Sequence, residues 1–312
     1  MRLCLEASVE RLAGLSDHDA AELKRLLALC AEADGYQPRL EDDAGLNVVP
    51  GLHPWFLARV EAPDGHRRVV GAATIFAPGL DEGEISSCVH PLFRRQGLLG
   101  ELLKAALDEL RLCRVPAALL VSDSRLGFGH LIAGKLGAVK ARTEYGMAMD
   151  LGRDGAASPT AEIEPTGLCL RPVGPAELDE VAALSAACFD EEAAAARAFL
   201  EGCLAEPGRE QYTVMAPSGA IGLAAVQRKP PADGEGAEAM IFGVGLRPEL
   251  RGRGLGRALM RTVLGMLRAR GIERVALEVD DTNAAALALY RSLGFVEENA
   301  MDYWRIELAS LG

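Results

Sequence analysis

One pattern occurs twice in this chain and restricts its fold more than any other feature. An apolar strand is halted by proline, an arginine–glycine turn follows, and an amphipathic helix leads to a second strand. In the later copy Met240, Ile241, Phe242, Val244 and Leu246 read as the strand, and Pro248 stops it because proline offers no ladder donor. Leu255, Leu259, Met260, Val263, Leu264 and Leu267 then recur at three- and four-residue spacing, which marks one buried helical face. In the earlier copy Glu84 to Val89 is the strand, His90-Pro91 the stop, and Arg94-Arg95-Gln96-Gly97-Leu98-Leu99-Gly100 the turn into a helix. Strands follow at Ala117 to Val121 and Val275 to Val279. Four elements repeated in one order at nearly equal length point to an internal duplication with two similar α/β domains.

The later turn, Arg251 to Gly256, has the makings of an anion cradle. Gly254 and Gly256 let backbone N–H groups approach a ligand, and a helix N-terminus carries unpaired donors and partial positive charge. Arg247, Arg251, Arg253, Arg257 and Arg261 surround it in a chain whose formal net charge is −12. A local basic patch in an acidic protein suits an anionic small ligand, and the overall charge argues against a general nucleic-acid binder. The segment has no Gly-Lys-Ser/Thr, so it is not a P-loop. RGRGLG also lacks the G-x-G-x-x-G of a dinucleotide turn.

What it does match is R-x-x-G-x-G, as Arg251, Gly254 and Gly256. Beyond it come Leu277-Glu278-Val279, Asn283, Ala286, Leu289-Tyr290 and Leu293-Gly294-Phe295. These two motifs, in this order, resemble the acyl-CoA loop and the following segment of the GCN5-related N-acetyltransferases, the GNAT family. The resemblance covers most of residues 168 to 308 closely and residues 1 to 150 more loosely. It implies an α/β (α+β) fold of two tandem GNAT-like domains, each a mixed, mostly antiparallel sheet flanked by helices, as in tandem-domain members of that family. The implied activity is transfer of an acetyl group from acetyl-CoA to an amine by direct attack. The implied cofactor contacts are Val244, Gly245 and Leu246 through their backbone, then Arg251, Gly252, Arg253, Gly254, Leu255, Gly256, Arg257 and Asn283. The cofactor is expected in a slot between the fourth and fifth strands of the second half.

In the family a tyrosine at the position of Tyr290 protonates the CoA sulfur, and an ordinary phenol pKa near 10 keeps it protonated at neutral pH. Glu278 is placed like the general base of enzymes that acetylate a ribosomal protein's N-terminal amine. Glu238 and a bound water remain alternatives for the base. Glu278 and Asp280 share a strand face and could form an acidic wall for a cationic amine.

The first half departs where the chemistry would sit. Leu99 stands at the third loop position with Gly100 displaced by one. Counting along the motifs puts Leu120 at the place of Glu278, Arg125 at that of Asn283 and Ala133 at that of Tyr290. A phosphate loop with Cys88, Val89, Arg95, Gln96, Gly97, Leu98, Leu99 and Gly100 is retained without a proton donor. This half is expected either to bind CoA without turnover or to act as a scaffold. An acyl-CoA sensor or regulatory module is the alternative to an enzyme.

The 312 residues suit two ordinary domains, expected at 1–150 and 167–312. Between them LGRDGAASPTAEIEPT, residues 151–166, lacks periodic apolar positions and reads as a linker. Seven cysteines without C-x-x-C read as reduced thiols of a cytoplasmic protein. No signal peptide, membrane span or metal-ligand spacing is evident. The partner expected is a small-molecule or peptide amine, and the sequence does not set the oligomeric state.

Overall fold

The structure, a computed structural model, describes residues 7–36, 38–40, 46–62, 65–125, 128–152, 167–229 and 236–308. Two compact units make up the chain. The first comprises residues 1–141 with 302–312, and the second residues 142–301.

The first unit opens with β1 (Ser8–Leu12) and α1 (Asp17–Asp34). Ser16 caps α1 in a reciprocal capping box with Asp19, and Gly35 ends it in the left-handed conformation. Strands β2 (Trp55–Glu61), β3 (Arg67–Phe76) and β4 (Glu82–Val89) follow, then α2 (Leu98–Leu112), β5 (Ala117–Asp123) and α3 (Phe128–Lys135). The expected turn 62–65 between β2 and β3 falls partly outside the described residues. β1 to β4 pair antiparallel in sequence, and β5 joins β4 in parallel. Leu98, Leu102, Leu103, Ala106, Leu107 and Leu110 give α2 its buried face. Trp304, Ile306 and Leu308, from the far end of the chain, complete the same core.

The second unit begins within β6 (Val139–Asp150) and continues with β7 (Cys169–Pro172), α4 (Leu178–Phe189) and α5 (Ala193–Ala205). Strands β8 (Arg209–Ala216), β9 (Gly219–Lys229) and β10 (Glu238–Leu246) lead to α6 (Leu255–Ala269), β11 (Arg274–Asp280), α7 (Ala284–Leu293) and β12 (Val296–Glu307). Residues 302–307 of β12 belong to the first unit. β7 to β10 pair antiparallel, β10 and β11 parallel, and β11 pairs antiparallel with β6. The core lies under α6 and α7, where Leu259, Val263 and Leu267 meet Val275, Leu277 and Val279. α4 and α5 cover the opposite face through Leu223. The fold is mixed α/β with helices flanking mixed sheets, as expected from the sequence.

These bounds differ from the division expected at 150 and 167. Residues 144–150 pair with β11, residue for residue from Glu144↔Asp280 to Asp150↔Arg274, and Leu151 is buried in the second core. Most of the expected linker, residues 153–166, lies outside the described residues. The sequence pattern does not announce α5: its Ala-rich start carries little periodicity, and only Ala196, Leu200 and Cys203 mark its buried side.

Candidate active site

The ladder between β10 and β11 holds from Glu238↔Arg274 to Ile241↔Leu277 and then ends, although both strands run on. Two parallel strands thus part, leaving the backbone of 242–246 on one side and Glu278 to Asp280 on the other. β10 also carries a bulge. Against β9, Phe242 faces Ala225 and Gly245 faces Leu223, so Gly243 and Val244 together oppose Ala224. Gly243 sits at φ +57°, which supplies the turn the bulge needs. Such an extra residue leaves backbone groups out of the ladder, where they are available to a ligand.

A short 3-10 turn at Pro248–Leu250 then leads to the loop. Gly252 and Gly254 lie at φ +72° and +79°, and nothing stands within 4 Å of where a side chain would begin on either. Gly254 caps α6 without a side-chain acceptor. The N–H groups of Gly252, Arg253 and Gly254 find no backbone acceptor among the described residues. Those of Leu255 and Gly256 open the first turn of α6, where no helical acceptor exists. By contrast α1 and α7 satisfy their first turns with Ser16 and Asn283. The unclaimed donors, with no acidic residue in the first turn of α6, fit a phosphate group.

The arginines divide into two groups. Arg251 points away from the loop: its Nε donates to Leu246 O at 3.2 Å and its Nη2 to Cys188 O. Arg247 Nε donates to Ala220 O at 3.1 Å, and Arg257 Nη2 to Ser292 Oγ at 2.7 Å. Arg253 is exposed and makes no side-chain hydrogen bond or ion pair among the described residues.

Tyr290, on α7, is 8% exposed and belongs to the second core, its ring 5.9 Å from that of Phe295. The hydroxyl makes no hydrogen bond among the described residues, although a buried phenol ordinarily finds a partner. Burial holds its pKa above the ordinary phenol value. Asn283 caps α7, its Oδ1 accepting from Ala286 N at 3.1 Å. Glu278 is the first β11 residue past the parting of the strands, on the face opposite the core. Asp280 Oδ1 accepts from Thr282 N and Oγ1 at 2.8 and 2.7 Å, and its Oδ2 lies 3.4 Å from Arg142 Nε. Glu238 is paired with Arg274 at the closed end of the ladder. Among the described residues no group of three or more His, Cys, Asp or Glu side chains is arranged to hold a metal, and no helix is long and apolar enough to cross a membrane.

The first unit repeats this geometry with informative differences. β4 and β5 pair from Glu82↔Ala117 to Ile85↔Leu120 and then part. Arg94 Nε donates to Val89 O at 2.9 Å, as Arg251 does to Leu246 O. Arg95 occupies the position of Gly252 at φ +62°, and Gly97 caps α2 at φ +91°. However, β4 has no bulge: Gly71↔Val89 to Phe76↔Glu84 runs without a shift. Glu101 adds a carboxylate in the first turn of α2, and Leu99 packs on the core where Gly256 has no side chain. Cys88 is buried, and its hydrogen bond with Cys30 and its burial hold its thiol pKa well above the ordinary value. Two sequence equivalences need correcting by one position. The ladders align Leu120 with Leu277, so Val121 stands where Glu278 does. Asp123 Oδ1 accepts from Arg125 N as Asp280 Oδ1 does from Thr282 N, so Arg125 matches Thr282 rather than Asn283. A count from Val121 misleads because Ala117 to Val121 is a continuous apolar run in which no one residue marks the register, whereas β11 alternates.

The parted strands, unclaimed helix N-terminus and buried phenol define an acyl-CoA-dependent transferase fold, and the chain belongs to the GNAT family of N-acetyltransferases. The model described as "Acetyltransferase (GNAT) family" matches residues 178–295. Over 302 residues the chain is 30% identical to the mycothiol acetyltransferase of Paenarthrobacter aurescens (strain TC1), with 88% of each chain covered. Among solved structures, a GCN5-related N-acetyltransferase from Sphaerobacter thermophilus superposes with a TM-score of 0.71 at 22% identity, covering 97% of this chain and 96% of that one. A tandem GNAT protein from the clavulanic acid biosynthesis pathway gives 0.70 at 21% identity, covering 97% and 99%. The protein is accordingly an acetyl-CoA-dependent N-acetyltransferase with tandem GNAT layout.

Proposed function

We propose that the second unit carries out the transfer, to a primary amine of a small molecule, by direct attack and without an acyl-enzyme. The single observation behind this reading is that the bulge, the parted strands, the bare α6 N-terminus and the unpartnered Tyr290 phenol all occur in one unit, whereas the first unit keeps only the parted strands and the loop.

Acetyl-CoA, when bound, supplies an activated acetyl thioester. The residues act around it. The N–H groups of Gly252 to Gly256 hold the diphosphate, and exposed Arg253 adds charge. A backbone N–H group within Val244 to Leu246, on the side of β10 that has parted from β11, stabilises the developing oxyanion. Tyr290 Oη gives its proton to the departing thiolate. Glu278, directly or through water, takes the proton from the incoming ammonium so that a neutral nitrogen attacks. Glu238 is disfavoured as base because Arg274 holds it at the closed end of the ladder. Arg251 acts by securing the end of β10 rather than by touching phosphate. The name shared by the relatives supports an acceptor related to mycothiol. The first unit, with Leu99, Glu101 and Ala133, serves as a non-catalytic partner.

The test is a thiol-release assay over a panel of amines, with calorimetric titration of acetyl-CoA. Binding together with amine-dependent release of CoA is the expected result. Binding with no release for any amine would make the protein a sensor, and no heat from acetyl-CoA would end the proposal.

A further inference from the structure

On β11, Val275, Leu277 and Val279 enter the core beneath α6 and α7, so Glu278 and Asp280 project from the opposite face. Directly across the antiparallel ladder on β6 stand Gly146, opposite Glu278, and Glu144, opposite Asp280, and residues so paired share a face. At Gly146 a side chain is impossible as the chain stands. A Cβ there would lie 2.4 Å from Asn299 Oδ1, 2.7 Å from Nδ2 and 2.8 Å from Cγ. The carboxamide of Asn299, a residue of β12 within the second unit, therefore lies on the bare backbone of Gly146, on the face and at the level of Glu278.

This placement is unusual for an exposed asparagine. Asn299 makes no side-chain hydrogen bond among the described residues, yet its carboxamide is laid into a notch that only glycine provides. It thus presents one unclaimed N–H₂ donor and one unclaimed carbonyl acceptor next to the proposed base. Across the gap on the same face, Phe189 at the end of α4 covers Gly245, its Cζ 2.6 Å from where a Cβ would be, and remains 44% exposed. The opening beside Glu278 is therefore bounded by an aromatic ring on one side and by a free carboxamide on the other.

Resting on the catalytic reading above, we infer that Asn299 positions the acceptor: its carboxamide hydrogen-bonds an amide or hydroxyl group borne close to the reacting nitrogen, holding that nitrogen over Glu278. The substrate class it selects is a primary amine with such a polar neighbour, in preference to a plain alkylamine. Gly146 is the structural condition for this, because any side chain there displaces Asn299.

The experiment compares glycinamide with ethylamine as acceptors for the full chain and its Asn299→Ala and Asn299→Gln variants, with calorimetry of acetyl-CoA alongside. The wild type should favour glycinamide. Asn299→Ala should raise the KM for glycinamide, lowering kcat/KM by about tenfold, the effect of one neutral hydrogen bond. It should leave ethylamine turnover and acetyl-CoA affinity unchanged, and Asn299→Gln should recover part of the loss. Equal losses on both amines, no loss on glycinamide, or a wild type that prefers ethylamine would each overturn the assignment while leaving the catalytic reading intact. A wild type that binds acetyl-CoA but acetylates neither these two amines nor any other of the panel would remove the catalytic reading and this inference together, and turnover of other amines with none of glycinamide would remove this inference alone.

Discussion

Ala133 and Tyr290 occupy one and the same place in the two repeats. Each carbonyl accepts the N–H of the residue just before the following strand, from Ala138 at 2.9 Å and from Phe295 at 3.1 Å, and each helix then turns at a left-handed glycine, Gly137 or Gly294. The backbone has been kept and the phenol lost, so the two units can be compared position by position.

Replacing Tyr290 with phenylalanine removes one oxygen that has no hydrogen-bond partner among the described residues. Folding should be unaffected, because no buried hydrogen bond is broken. Turnover with an accepted amine should fall by about a hundredfold or more, as for loss of a general acid. Steady-state kinetics and thermal denaturation on one preparation check this, and unchanged kcat would take the tyrosine out of the mechanism.

The pH dependence has a definite sign. Burial raises the pKa of Tyr290 above its ordinary value, so the folded protein holds this proton more tightly than the unfolded chain. Its contribution to stability is fully present below the unfolded phenol pKa and is lost as pH rises through the folded one. In kcat the proton donor should likewise persist past a pH of about 10. An alkaline limb below that value, absent from Tyr290→Phe, would contradict this placement.

Gly256 separates the two loops. A Cβ there would lie 3.5 Å from Leu289 Cδ2, an ordinary contact, so Gly256→Ala should fold well and gain up to about 1 kcal/mol from helix propensity. Gly256→Leu copies the first unit's Leu99 and should weaken acetyl-CoA by more than about tenfold by covering the N–H groups it needs. Titration calorimetry on both variants tests whether the side chain, not the lost glycine, is responsible.

Much of this was legible beforehand. Apolar spacing located α1, α2 and α6, and Ser16 and Gly35 marked the ends of α1 because capping is local chemistry. The parting of β10 from β11 could be anticipated only through resemblance. The bulge has a signal, glycine at 243 and 245 inside a strand, but the apolar pattern around them does not separate it from a plain strand. The direction of Arg251 had none, since its partners are carbonyls at Leu246 and Cys188, and the second is remote in sequence. Asn299 and Gly146 were equally hidden, because they meet only through strand pairing.

Arg251 gives a prediction opposite to that of a phosphate ligand. Its guanidinium donates to two backbone carbonyls, a fork that an ammonium cannot reproduce. Arg251→Lys should cost about 1.5–3 kcal/mol in urea unfolding, in keeping with a lost charge-assisted hydrogen bond. Its salt dependence of acetyl-CoA binding should match the wild type. A flattened salt dependence with unchanged stability would place the side chain on the ligand.

The last strand supports the first unit. Trp304 is 7% exposed, its Nε1 donates to Ser122 Oγ at 3.2 Å, and its ring meets His130 edge-on at 5.2 Å. Leu308 N donates to Pro116 O at 2.9 Å beside it. Both tryptophans of the chain, Trp55 and Trp304, lie in this unit, so tryptophan emission reports on it alone, while acetyl-CoA binding reports on the second unit. Trp304→Ala should lower the stability read by Trp55 emission by about 3–5 kcal/mol, the usual consequence of emptying an aromatic core position. A chain ending at Met301 should lose that transition altogether. If Trp55 reports an unshifted midpoint in both variants, residues 302–308 are not part of the first core, and the division expected at 150 and 167 would be the better description.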